Sequence, residues 1–172
     1  METLKVSELL EHLRKYIGTG AEPIVYFIDK GAIKFFADSL MDPDPLYCDD
    51  DYARTTKHGG VIAPPTFYGG ATSLRNVKAG DARTVSSTNI AMPPGWVGMN
   101  AGDDFHLLAP IRPGDTLTSR EKVVDAYEKE GRSGHLIFVV VEKTFTNQHG
   151  QTALIRRGTS VFRAANPKEE HH

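Results

Sequence analysis

The chain has 172 residues, 40% of them hydrophobic and 24% charged, with a net charge of -2. That length suits one domain with a sizeable core, and the near-neutral balance makes no electrostatic case for nucleic acid or an anionic membrane. A single cysteine, Cys48, excludes an internal disulfide and suits a reducing compartment.

The first residues, Met1 to Val6, lack the basic and apolar stretches of a secretory leader, and no apolar run approaches a membrane span, so the expected location is cytoplasmic. Residues 7–17 predict a helix, with Ser7 as its cap and Leu9, Leu10, Leu13 and Ile17 as an apolar stripe. Gly18-Thr19-Gly20 closes it. Ile24 to Ile28 predicts a short strand. Asp29 then caps a second helix over 30–41, with Ile33, Phe36, Ala37 and Leu40 on one face. Asp42-Pro43 stops that helix, because a residue before proline is pushed out of helical geometry. Residues 50–56 predict a short exposed helix. After Gly59-Gly60, residues 66–77 predict a helix nearly free of charge, rich in small residues and therefore buried.

Strands are expected over 85–92, 103–109, 116–127, 134–146 and 152–164, with turns at Pro113-Gly114-Asp115, Glu130 to Gly134 and Asn147 to Gly150. The run Leu136 to Val141 is apolar on both faces and should be central in its sheet. Helices followed by long antiparallel strands predict an α+β fold. One uncharged helix and about five strands suggest a single hot-dog domain, a long curled antiparallel sheet wrapped around a central helix. Residues 1–20 form an extra N-terminal helical appendage, 21–166 the domain, and 167–172 a tail that reads as a tag remnant.

Asp42-Pro43-Asp44-Pro45-Leu46-Tyr47 places an acid, a proline turn and a ring side chain at fixed offsets, as a catalytic loop does. A histidine at the last place would be a base at neutral pH; a tyrosine, titrating near ~10, is not one unaided. Phe35 to Tyr47 resembles the hydratase motif of MaoC-like proteins, which runs roughly F-A-x-x-S-G-D-x-N-P-L-H. Gly60 to Phe67 and Arg112 to Leu117 resemble blocks of the same superfamily, in its FAS1-like or MaoC N-terminal branch.

The resemblance implies a hydratase or dehydratase acting on a thioester of coenzyme A or acyl carrier protein, with no cofactor beyond that substrate. In active members an aspartate and a histidine activate water, and a backbone N–H at the start of the central helix holds the thioester oxygen, the kind of donor a developing enolate needs. Matched residue by residue, Asp42 falls on the aspartate, Asp44 on the asparagine and Tyr47 on the histidine. Pro65 falls on the glycine that donates to the oxyanion, and proline has no N–H. Two catalytic features are therefore replaced. That pattern resembles the substrate-binding subunit of a two-chain dehydratase, whose MaoC-like hot-dog partner supplies the Asp/His pair; a homodimer is the other arrangement.

Asp42 and Tyr47 are thus the candidate catalytic positions. Asp44, Pro65, Thr66, Trp96, Asn100, Arg156 and Arg157 are the candidate substrate contacts. Several have a plainer reading. Asp42 can simply end a helix, Tyr47 can pack, and Trp96 can anchor a loop instead of covering an acyl channel; Asn100 is read as a polar contact. Adjacent strand residues face opposite sides, so one of Arg156 and Arg157 points to the helix-bearing side, toward a coenzyme A phosphate or a carrier-protein acid, unless a salt bridge occupies it. Arg75, Lys78 and Arg83 could extend that rim. No His or Cys pair has metal-ligand spacing, so no metal is expected. Two rival readings remain: a self-sufficient hydratase pairing Asp42 with another base such as His58 or His106, and a non-catalytic acyl-thioester binding protein. A thioesterase is weaker, because residues 66–77 contain no Asp or Glu.

Overall fold

The computed structural model describes residues 5–68, 95–131 and 134–165. Among these residues five strands form one antiparallel sheet in the order β1-β3-β4-β5-β2. They are β1 (Gly20–Phe27), β2 (Trp96–Leu107), β3 (Thr116–Gly131), β4 (Gly134–Thr146) and β5 (Thr152–Ala164). The apolar run of 136–141 lies in β4, the middle strand, as its two-sided hydrophobicity requires. Irregular pairings at Ala21/Ile24, Asn100/Gly102 and Val123/Asp125 mark bulges that bend the strands.

Residues opposite each other in the ladders share a face. One face carries Leu117, Ser119, Glu121 and Val123 of β3, Ile137, Val139, Val141, Lys143 and Phe145 of β4, and Leu154, Arg156, Gly158 and Phe162 of β5. Two apolar clusters occupy its ends. At one, helix α1 (Val6–Arg14) sets Leu9, Leu10 and Leu13 against Val123, Ile137, Val139 and Phe162. At the other, Phe145, Leu154 and Leu117 meet Ile33 and Ala37 of α2 (Lys30–Ser39), Tyr47, Val61, Ala63 and Phe67. Between them lies a charged belt, in which Lys143 pairs with buried Glu121 at 3.1 Å and Arg156 with Asp103 at 2.6 Å.

Several sequence expectations are corrected. The first helix begins at Val6, and its cap is Lys5, not Ser7; the Glu8 carboxylate reaches back 3.0 Å to the Lys5 N–H and satisfies that donor. The stripe residue Ile17 lies beyond the helix, in a bridge to Val123. Helix α2 is capped by Asp29 as expected, its side chain accepting from the Ala32 N–H at 3.2 Å. Its end, however, is not made by Pro43. Met41 takes φ 54°, its N–H donates to the Asp38 carbonyl, and the Asp42 N–H donates to that of Ala37. This is a Schellman closure one turn ahead of the proline, and it leaves Leu40 half exposed, off the expected apolar face.

Strand β2 starts at Trp96, seven residues before 103, so Trp96 and Asn100 stand in a strand and not in a loop. Residues 66–68 are not helical; the remainder of the expected central helix, the 85–92 strand and Arg75, Lys78 and Arg83 lie outside the described residues. Among the described residues no helix is long and apolar enough to cross a membrane.

Candidate functional site

The Asp42–Tyr47 loop is built by its own carboxylates. Asp42 Oδ1 accepts the Asp44 N–H at 3.1 Å, and Asp44 Oδ1 accepts the Leu46 N–H at 2.9 Å. Such side-chain turns fix the backbone with no help from distant residues. Pro45 then opens a single 3-10 turn, Pro45–Tyr47, that drives the Tyr47 ring inward until it is 9% exposed. Burial first, then the nearby Asp42 and Asp44 carboxylates, push the Tyr47 phenol above its ordinary value. The ring is therefore a neutral hydroxyl near neutral pH: a hydrogen-bond donor and not a base. That hydroxyl makes no hydrogen bond with any described residue.

Tyr47 lines a cavity of about 260 Å³, together with His58, Ile62, Ala63, Pro64, Pro65 and the segment Leu107 to Ile111. The cavity is apolar for two reasons. Most of its side chains are aliphatic, and several of its backbone donors are already occupied. The Ala63 N–H donates to Ile111 O at 2.8 Å, the Leu108 and Ala109 N–H groups both donate to Ala153 O, and Ile62 reaches Leu46 O. Pro64, Pro65 and Pro110 have no N–H. Among the described residues the polar side chains on the wall are Tyr47 and His58.

The far wall is held from below. Asp115, itself buried, accepts the Arg112 N–H at 2.8 Å and the Gln148 amide at 3.0 Å, and the Gly114 N–H donates to Ile28 O. Gly114 has φ 87°, which a side chain rarely adopts and the Pro113-Gly114 turn needs. Arg112 reaches across with its guanidinium to the His58 carbonyl at 2.7 Å and ties the His58 loop to the pocket wall.

The candidate residues named from sequence are not all brought together. Tyr47 and Pro65 line the pocket; Asp42 and Asp44 act on Tyr47 electrostatically from their own loop and are not among the lining residues, and Thr66 is exposed next to Pro65 in the chain. Trp96 sits at the opposite end of the sheet face and packs against the α1 cluster, its indole N–H unpaired. Asn100 is exposed and shapes the β2 bulge, accepting the Gly102 N–H at 2.9 Å. Arg156 is the inward arginine; it pairs with Asp103 and lies 5.6 Å from the centre of the Tyr68 ring. Arg157 faces the other side, bound to Glu142 at 2.9 Å. His106, paired with Ile155 on that outer face, is exposed. Cys48 is free and exposed.

Sequence reading understated two features of this pocket. His58, named from sequence only as an alternative base, lines the same cavity as Tyr47, and the aliphatic wall of 107–111 carries no local signature at all.

Comparison with known proteins fits this geometry. A family model described as FAS1-like, dehydratase domain region, matches residues 15–156. A UPF0336 protein of Saccharopolyspora erythraea is 28% identical over 91% of this chain and 96% of its own. A probable enoyl-CoA hydratase alpha subunit of Thermomonospora curvata is 25% identical over 73% of this chain and 41% of its own length. Among solved structures, the ChsH1-ChsH2 complex of Mycobacterium tuberculosis contains a chain of the same fold, with a TM-score of 0.67, 15% identity and coverage of 94% of this chain and 95% of that one.

Proposed function

The chain belongs to the FAS1-like dehydratase domain region family, matched over residues 15–156, and on that premise we propose that it is the substrate-binding subunit of a two-chain enoyl-thioester hydratase or 3-hydroxyacyl-thioester dehydratase. The observation that carries this reading is the pairing of Tyr47 and Pro65 on one apolar cavity. A hydratase must take a proton from water with a base whose pKa lies near the working pH, and must stabilise an enolate oxygen with a preset donor. In this pocket the ring at the base position is a phenol held above its ordinary titration range, and the residue at the donor position has no N–H. What remains suits binding: an aliphatic wall for an acyl chain and two polar side chains to orient it.

The partner reading draws on the edge strand. Among the described residues β2 is an outer strand of the sheet, and its C-terminal end, Leu107, runs directly into the pocket wall. A second hot-dog chain adding to this edge would lie beside the cavity and could bring an intact Asp/His pair to a ligand held here. The substrate is a thioester of coenzyme A or of an acyl carrier protein, and the place of action the cytoplasm.

The test is hydration of crotonyl-CoA by the isolated chain, and again after adding a MaoC-like chain with an intact D-x-N-P-x-H loop. The expected outcome is activity in the mixture that exceeds the sum of the two chains alone. Full activity from the isolated chain, kept in Tyr47→Phe and lost in Asp42→Ala, would sink the subunit reading.

A further inference from the structure

Resting on the acyl-thioester reading, we propose that Tyr47 and His58 form a selectivity pair that favours a ligand oxygenated on its acyl chain: a 3-hydroxyacyl thioester over the enoyl or saturated thioester of the same length. Among the described residues the pocket wall has almost no other polar group to offer. The N–H groups of Ile62, Ala63, Leu108 and Ala109 are held by protein carbonyls, and the three prolines have none. The Tyr47 hydroxyl, on a side chain more than nine-tenths buried, is without a hydrogen-bond partner among the described residues, and so is the His58 ring. The Arg112 guanidinium holds the His58 loop in place from behind, through the carbonyl, and leaves the ring uncommitted.

A phenol donor and an imidazole lining one aliphatic cavity can together satisfy a ligand hydroxyl, one group donating and the other accepting. A saturated or enoyl chain offers nothing at that point, and its entry desolvates both groups without replacing their hydrogen bonds with water. Sites built to hydrogen-bond a hydroxyl discriminate strongly against analogues that lack it, for this reason. The pocket therefore holds the hydrated side of the hydration equilibrium more tightly than the dehydrated side.

The experiment is calorimetric titration of the full chain with each enantiomer of 3-hydroxybutyryl-CoA, with crotonyl-CoA, with butyryl-CoA and with coenzyme A alone. The expected result is that one 3-hydroxy enantiomer binds at least about tenfold more tightly than butyryl-CoA or crotonyl-CoA, a preference of the size one buried unpaired polar group produces. Tyr47→Phe and, separately, His58→Leu at the partly buried loop position should each narrow the ratio of 3-hydroxybutyryl-CoA to butyryl-CoA affinity toward one, by weakening the first and tightening the second as the buried polar group is removed. Because His58 is not in the core, His58→Leu keeps the test open should Tyr47→Phe destabilise the fold. Equal affinity for all the acyl thioesters, above that of coenzyme A alone, overturns the selectivity pair and leaves the acyl-thioester reading standing. Binding of none of them, or binding no tighter than coenzyme A alone, overturns both.

Discussion

Burial and two carboxylates act on Tyr47 in the same direction, and the consequence can be measured. Its phenol is raised above the ordinary value of 10.0, so the folded state holds the proton more tightly than the unfolded chain does. The stability this represents is fully present below pH ~10 and is lost as pH rises through the folded value. Tyr47→Phe should therefore flatten the alkaline limb of the stability curve, read by urea unfolding at stepped pH; an unchanged limb would mean the phenol is not held neutral. Met41 gives a second prediction at this scale. It takes the left-handed position of the Schellman closure at φ 54° and is 89% exposed, so nothing it packs against offsets the strain. Counting back from Asp42, this is the place the MaoC-like motif gives to glycine. Met41→Gly should raise stability by about 0.5–1 kcal/mol, the left-handed penalty less the extra freedom glycine brings to the unfolded chain. A drop in melting temperature would contradict it.

The elements show why some of this was legible in the sequence and some was not. β4 and β5 match their sequence-predicted bounds because their hydrophobic pattern and flanking turns agree. β2 extends ahead of its expected start at 103 because pairing with β5 overrides the poor strand propensity of Gly98, Asn100 and Gly102. Gly98 is there for a packing reason: a Cβ at that position would come within 2.5 Å of the Phe162 ring. The Asp42–Tyr47 loop was legible because its turns are local. The wall at 107–111 was not, since an aliphatic lining is set by topology alone. Helix α1 reads as an appendage that docks onto a domain or a partner, and Leu9 and Leu13 are fully buried on β3 and β4. Leu9→Ala or Leu13→Ala should then cost about 2–5 kcal/mol in a single cooperative transition, whereas a loosely docked appendage would show almost no loss. On the outer face Glu142 is held below its ordinary carboxyl range chiefly by its hydrogen bond to Arg157, with Lys122 adding to it against the effect of burial. That stability is present above pH ~4.5 and is lost as pH falls through the folded value. Glu142→Gln should shrink the acid loss between neutral pH and pH ~3, and an identical acid profile would argue against the pair.

At the scale of the whole molecule, the sheet separates two tasks. One end of its inner face is closed by α1, while the other meets α2 and the Asp42–Tyr47 loop and carries the cavity. The edge strand β2 ends at that cavity, so the position of the pocket and the place where a second chain could join coincide. The central claim is that the chain, taken alone, binds an acyl thioester without converting it. The direct measurement is the initial rate of crotonyl-CoA hydration by the isolated chain, on a preparation whose binding of the same thioester is confirmed by calorimetry. The account predicts saturable binding with hydration at the uncatalysed background. Turnover in the usual enzyme range, on the order of 1–10³ s⁻¹, with the rate unchanged in Tyr47→Phe, would contradict it.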